Sequence, residues 1–244
     1  MKHLSMLLPV ALVSALLGVP ALPQSTNDNA GLDTVLKKMD AVSATFRSAQ
    51  AEFEWDRYEK VIDEVDDFQT GTIYYRRTGK DLEMMADVKQ VGSSLKEMKS
   101  EPKYVLFQGG TVRLYQPSTD QVTVYDLGKN KSDFESYLVL GFGGSGQDLK
   151  NAFDVTYAGP ETVNGVPTAK LQLVPKSDRV RNNFKQIFLW IDLNRGISVQ
   201  QQFFDPQGDY RLAKYSSIRI NEKIKDDVFK LKTTSKTQTV SPRG

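Results

Sequence analysis

Short segments in which apolar and polar residues alternate, each followed by a turn signal, fill most of the chain after residue 50. The first of them places Ala51, Phe53 and Trp55 between acidic residues. A period of two is that of a β-strand with one buried face. Between two later segments stands Asn164-Gly165, which is a strong hairpin signal. This pattern predicts an antiparallel sheet built from hairpins.

We expect about eleven short strands in meander order, which makes the fold mainly β (α+β). A single antiparallel sheet of this size curls, so an unclosed barrel is the predicted architecture. An N-terminal helix over 31–47 should cover the sheet, because apolar residues there recur at spacings of three and four. These residues are Leu32, Val35, Leu36, Met39, Val42 and Phe46. The run Ser132-Asp133-Phe134-Glu135 has the form of a capping box and predicts a short helical insert midway along the chain.

The first 21 residues are interpreted as a signal peptide. Lys2 and His3 are followed by an apolar run from Leu4 to Val19, and small residues then offer a cleavage site. The alternative is a membrane anchor, but the run is shorter than the roughly 20 apolar residues that a spanning helix needs. We therefore expect an exported protein with one domain over 22–232. A polar tail over 233–244 is predicted to be disordered.

Histidine and cysteine are almost absent from the chain. His3 is the sole histidine, it lies within the predicted signal peptide, and there is no cysteine. Disulfides, zinc sites and His- or Cys-based catalysis are thereby excluded from the predicted mature protein. We expect that the protein is not an enzyme and that it binds neither a metal nor a cofactor. The formal net charge of +2 does not indicate a nucleic-acid partner.

Two motifs allow a functional and an ordinary interpretation. Residues 141–146 match G-x-G-x-x-G, but a nucleotide site needs a strand before the motif and a long helix after it. We interpret the run as a flexible joint next to an apolar helix. The carboxylates Glu52, Glu54 and Asp56 could form a glycosidase pair. Their alternation with Phe53 and Trp55 instead places them on the solvent face of the sheet.

The ordered set of segments resembles the bacterial outer-membrane lipoprotein carrier family (LolA-like). The segments are 71–77 (GTIYYRR), 108–117 (QGGTVRLYQP), 171–176 (LQLVPK) and the closing hairpins over 184–220. The resemblance covers nearly the whole mature chain. It implies an unclosed barrel covered by helices, whose cavity takes the acyl chains of lipoproteins crossing the periplasm. It also implies an inner-membrane exporter and an outer-membrane acceptor as partners, and we expect the carrier itself to be a monomer.

Candidate lipid-binding residues are those on the apolar strand faces, although sequence alone does not separate core from cavity wall. They are Phe53, Trp55, Ile73, Tyr75, Arg77, Leu82, Met84 and Leu114. The candidate lid and hinge residues are Leu138, Gly141, Gly143 and Gly144. Arg77 either ends its strand in water or lies at the cavity wall, bonded to a covering segment. The resemblance favours the second arrangement, because the matching arginine of the family is thought to control the lid.

The function predicted from the sequence is that of a periplasmic carrier of lipoprotein acyl chains. A lipid- or lipoprotein-sensing regulatory domain on the same fold is the alternative. A carboxylate-based hydrolase is the third possibility, and co-purified lipid or protein would distinguish the three.

Overall fold

Hairpins form almost the entire computed structural model, which describes residues 26–79, 81–138, 140 and 142–242. The described strands are β1 (Ser48–Glu59), β2 (Glu64–Thr78), β3 (Asp81–Gly92), β4 (Lys99–Gln108), β5 (Thr111–Gln116), β6 (Gln121–Asp126), β7 (Phe153–Val163), β8 (Val166–Pro175), β9 (Gln186–Asp192), β10 (Ser198–Phe204), β11 (Tyr210–Ile220) and β12 (Gln238–Val240). The described α-helices are α1 (Thr26–Thr45), α2 (Lys131–Leu138), α3 (Gly146–Ala152) and α4 (Asp178–Arg181). Short 3₁₀ turns span Gly128–Asn130 and Asp226–Phe229. The predicted signal peptide and Gly141 lie outside the described residues.

All twelve described strands belong to one sheet, in the order β12-β6-β5-β4-β3-β2-β1-β11-β10-β9-β8-β7. Neighbours are antiparallel except β12, which runs parallel to β6. Strand β1 pairs with both β2 and β11 and thereby joins the two hairpin series. No pairing among the described residues links β7 back to the β12 end. The predicted single, curved and unclosed antiparallel sheet is confirmed.

Helix α1 covers the half of the sheet formed by β7 to β10. Val35, Leu36 and Met39 are buried against Leu171 and Leu189. Burying an aliphatic side chain of this size contributes about 1.5–3 kcal/mol, so this stripe fixes the helix on the sheet. The predicted helix is confirmed, although it begins at Thr26 and ends at Thr45. In the described part of the chain, no helix is long and apolar enough to cross a membrane.

The other half of the sheet carries its apolar residues on the face predicted from their alternation. Phe53, Ile73, Tyr75 and Met84 are all buried in one core cluster. Gly71 lies opposite Phe53 in the β1–β2 register. A Cβ at Gly71 would lie 2.0 Å from the Asp87 carbonyl oxygen and 2.9 Å from Phe53 Cζ, so this position requires glycine.

The C-terminal segment differs from its prediction. Residues 226–229 form a 3₁₀ turn, and β12 follows at Gln238–Val240. Phe229 packs against Met85 and Leu106 in a separate cluster. The prediction of a disordered tail over 233–244 is therefore wrong for β12, which extends the sheet.

A small polar network accounts for the order of the tail. Asp120 accepts hydrogen bonds from the hydroxyl groups of Thr234 at 2.8 Å and Thr237 at 2.6 Å. Its carbonyl accepts from the Gln238 N–H at 3.0 Å. Hydrogen bonds to the charged carboxylate lower the pKa of Asp120, and the bond from Thr237 has the largest effect. The polar composition of residues 233–244, on which the prediction of disorder was based, does not reveal these specific hydrogen bonds.

The predicted capping box is also misplaced. Helix α2 begins at Lys131, so Ser132 lies inside the helix and does not precede it. A reciprocal capping box occurs instead at Ser145, whose hydroxyl accepts from the Asp148 N–H at 3.0 Å. The Asp148 carboxylate accepts from the Ser145 N–H at 3.1 Å. This box precedes α3, which begins at Gly146.

Replacing Asp192 by asparagine should lower the free energy of unfolding by about 2–3 kcal/mol at neutral pH. Asp192 is 3% exposed and accepts from the Asn194 N–H at 2.7 Å and from Arg195 Nε at 2.6 Å. Burial alone would raise the pKa of Asp192, but the bonds from Arg195 and Asn194 prevail and lower it. Urea unfolding of both proteins measures the loss.

The pH dependence follows from the lowered pKa of Asp192. Its contribution is present above the ordinary value of 3.8 and is lost as the pH falls through the lower pKa of the folded state. The gap between wild type and variant should therefore shrink in acid. Asp178→Asn is the matched control, because Asp178 also pairs with an arginine three residues on but is 89% exposed. It should cost less than about 0.5 kcal/mol. Equal losses in the two variants would contradict the assignment.

Candidate functional site

An apolar cavity of about 290 Å³ lies between the sheet and α2. Its lining comes from β1, β2, β3, β10, β11, α2 and Phe184. The main apolar side chains are Trp55, Ile73, Tyr75, Met84, Tyr137, Leu138, Phe184, Phe203, Ala213 and Tyr215. Such a surface binds hydrocarbon without directional contacts.

Three polar residues mark the opening of the cavity, whereas the polar lining residues Asp56 and Gln201 are buried. Arg211 is 62% exposed and lies 3.6 Å from the Asp67 carboxylate. Gln69 donates to Asp67 at 2.9 Å. These three side chains line the cavity together with the apolar residues. A charged rim around an apolar interior suits a ligand with a polar head and a hydrocarbon chain.

The cavity wall includes two deeply buried tyrosines. Tyr75 is 5% exposed and Tyr215 is 9% exposed. Burial raises the pKa of both hydroxyl groups well above the ordinary value, because it disfavours the phenolate. The Tyr215 hydroxyl donates to Gln201 Oε1 at 3.3 Å. A wall that keeps its hydroxyl groups neutral suits an apolar ligand.

Four of the predicted lipid-contacting residues and one predicted lid residue line the cavity: Trp55, Ile73, Tyr75, Met84 and Leu138. The other four predicted lipid-contacting residues are placed differently.

Of these four, Phe53 stacks behind Trp55, with 4.1 Å between ring centroids. Leu82 is buried and Leu114 half-buried, and neither belongs to the cavity lining. Lipid contact by any of the predicted residues stays a prediction.

Arg77 bonds the covering segments, as one of its two predicted arrangements requires, but it does not belong to the cavity lining. Its Nη2 donates to the Gly143 carbonyl at 2.9 Å, and Nη1 lies 3.5 Å from the Ser43 carbonyl oxygen. Its guanidinium also lies over the Phe46 ring, 5.5 Å from the centroid. Ser43 and Phe46 belong to the end of α1 and the residues after it. Arg77 thus connects the sheet, α1 and the loop after α2.

The loop after α2 is packed and not open. Gly143 has φ +83°, and a Cβ there would lie 2.4 Å from Phe46 Cδ1. Gly144 is buried as well. We use the name lid for α2, Leu140 and residues 142–145. The motif G-x-G-x-x-G stands between α2 and α3, so the strand that a nucleotide site needs before it is replaced by a helix. The hinge role of its glycines stays a prediction.

The carboxylates considered for hydrolysis differ from one another in their environments. Glu52 is exposed, as predicted for the solvent face, and Glu54 pairs with Lys214 at 2.9 Å. Asp56, however, is 7% exposed, so its predicted exposure is wrong. Burial raises the pKa of Asp56, and Lys214 at 4.0 Å partly offsets that effect.

Several cavity residues were missed because they come from distant parts of the chain. Phe203, Ala213 and Tyr215 reach the cavity through the β1–β11 and β10–β11 pairings. Alternation along the chain shows which face of β10 carries Phe203 and which face of β11 carries Ala213 and Tyr215. Sequence alone did not show that β11 pairs with β1.

Comparisons with known proteins agree with this architecture. An uncharacterized conserved protein from Thermus thermophilus is 12% identical, with a TM-score of 0.52 over 88% of this chain and 98% of that one. MucB is 14% identical, with a TM-score of 0.50 over 86% of this chain and 66% of that one. At these identities the likeness concerns the fold alone. The search of curated proteins found no match.

The family evidence comes from the sequence itself. The profile described as "Outer membrane lipoprotein carrier protein LolA" matches residues 97–232, more than half of the chain. The matched region runs from the β3–β4 connection through the segment that packs on Met85 and Leu106. This chain therefore belongs to the outer membrane lipoprotein carrier protein LolA family.

Proposed function

We propose that the protein is a periplasmic carrier that binds the acyl chains of lipoproteins in the cavity beneath the lid and ferries them toward the outer membrane. The apolar cavity with its charged rim is the observation that carries the proposal. Family membership and the predicted signal peptide support the export route. An inner-membrane exporter and an outer-membrane acceptor are the proposed partners.

The mechanism we propose is non-covalent. Each methylene moved from water into the cavity contributes roughly 0.8 kcal/mol, so a chain of ordinary length is held by burial alone. Arg77 opposes loading, because the lid must part from it before the chain enters. Cargo is therefore held reversibly and passes to an acceptor with higher affinity, without a catalytic step.

A brominated fatty acid should quench the fluorescence of Trp55 in a saturable way. Trp55 lines the cavity, and the chain has two tryptophans. Trp190 alternates with the core residues Leu189 and Ile191 and lies on the opposite face of the sheet. Trp190→Phe leaves Trp55 as the reporter, and Trp55→Phe leaves Trp190 as the control.

Saturable quenching in the first variant and weak quenching in the second support the carrier proposal, and a purified lipoprotein should compete. No quenching of Trp55 in folded protein would contradict it. Recovery of a protein partner in place of lipid during purification would favour the regulatory alternative.

A further inference from the structure

Phe142 of the lid fills a slot between two tyrosines of the sheet. Its ring stacks on Tyr75 with 5.1 Å between centroids and 15° between planes. It meets Tyr215 edge-on, with 4.8 Å between centroids and 88° between planes. Phe142 is 0% exposed. Burial and favourable ring geometry both stabilise it there.

The slot and the cavity share a wall. Tyr75 and Tyr215 border Phe142 and also line the cavity. Ile73 and Met84 line the cavity and belong to the same core cluster as Phe142. Withdrawal of the Phe142 ring would therefore join the slot to the cavity as one continuous space.

On one side, the backbone before Phe142 is held by the sheet. Gln201 of β10 is 5% exposed and donates from Nε2 to the Leu140 carbonyl. The Oε1 atom of Gln201 accepts the bond from the Tyr215 hydroxyl. A wall residue of the slot is thus linked to the backbone that carries the ring.

On the other side, the carbonyl of Gly143 accepts two bonds. Arg77 donates at 2.9 Å and the Ser43 hydroxyl donates at 2.8 Å. The ring of Phe142 is consequently positioned by contacts from β2, β10 and α1. Its burial is a property of the closed lid as a whole.

We propose that the slot between Tyr75 and Tyr215 is the inner acyl-chain subsite, which Phe142 occupies when no ligand is bound. This inference rests on the proposed function. The cavity of about 290 Å³ lies at the small end of ordinary ligand pockets, which begin near ~300 Å³. A short chain fits beside Phe142, whereas a long saturated chain must displace its ring.

The test compares palmitate with decanoate as ligands of wild type and Phe142→Ala. Because the side chain competes only with the long chain, the variant should bind palmitate about tenfold more tightly and change its decanoate affinity less than about threefold. Phe142→Leu keeps part of the competing side chain and should give an intermediate shift. Phe142→Leu also provides the test of competition if the alanine variant does not fold.

Phe229→Ala is the matched control. Phe229 is 2% exposed like a core residue, but it packs with Met85 and Leu106, away from the cavity. The variant should lose stability without a selective gain for palmitate. An equal gain in Phe229→Ala would mean that general loosening, and not competition, explains the effect and would overturn the subsite.

Displacement of the ring can be observed directly by fluorine NMR on protein labelled with 4-fluorophenylalanine. The signal missing from Phe142→Leu belongs to Phe142. Palmitate should shift this signal and decanoate should leave it in place. Palmitate binding without a shift and without tighter binding to Phe142→Ala would overturn the subsite but leave the carrier proposal intact. Folded proteins that bind neither acid would contradict the carrier proposal itself.

Discussion

Arg77→Leu should load an acyl ligand at least as well as wild type and release it to acceptor membranes at least about tenfold more slowly. A hydrogen bond to a charged group is worth about 1.5–3 kcal/mol, and Arg77 makes one to the Gly143 carbonyl at 2.9 Å. Loading must break this bond, which raises the free energy of the loaded state. Leucine removes that cost and adds an apolar wall. The measurement is lipid transfer from loaded protein to acceptor membranes.

Arg76→Leu provides the neighbouring control. Arg76 alternates with Arg77 along β2 and pairs with Glu83 at 2.7 Å and Asp226 at 2.5 Å, away from the lid. It should load and release like wild type, with at most a loss of stability. If Arg77→Leu folds, loads and releases like wild type, the hydrogen bonds between Arg77 and the covering segments do not control lipid transfer.

Local patterns predicted the strand faces well because side-chain direction in a strand depends only on the alternation of residues. Phe53, Ile73 and Met84 lie in the core as their spacing required. The same rule could not identify strand partners. Pairing of β1 with β11 joins residues such as Phe53 and Tyr215, which are far apart in sequence. Six of the sixteen residues that line the cavity lie on β10 or β11, and they were missed because their position depends on that pairing.

The lid shows a different limit of sequence reasoning. Glycines in residues 141–146 indicated a flexible joint, since glycine tolerates many backbone conformations. In the structure Gly143 is needed for one particular conformation and for close approach to Phe46. Phe142 beside it was not singled out, because an isolated aromatic residue between glycines has no period. Only the packing on Tyr75 and Tyr215 reveals its position.

Gly143→Ala should lower the free energy of unfolding by about 2–5 kcal/mol, more than is expected at a glycine that serves only as a flexible joint. A side chain at a φ of +83° costs about 1–2 kcal/mol. The new Cβ would also lie 2.4 Å from the Phe46 ring, and overpacking costs typically ~1–3 kcal/mol. Urea unfolding measures the sum.

Gly165→Ala separates the two costs. Gly165 has φ +80°, close to that of Gly143, but a Cβ there would meet nothing within 4 Å. This variant should lose only the conformational part, about 1–2 kcal/mol. Equal losses at both positions would show that the Phe46 ring moves aside without lowering the free energy of unfolding.

A double-mutant cycle with Phe46→Ala then tests the contact itself. In that background the ring is gone, so Gly143→Ala should cost no more than Gly165→Ala. The difference between the two backgrounds, expected at about 1–3 kcal/mol, is the coupling between the lid loop and the end of α1. Phe46 also lies under Arg77, 5.5 Å from its guanidinium carbon. The Phe46 ring thus contacts both Arg77 and the loop at Gly143. A measurable coupling would therefore show that closure of the lid depends on the packing of α1. Without such coupling, Arg77 would connect the lid to the sheet independently of that packing.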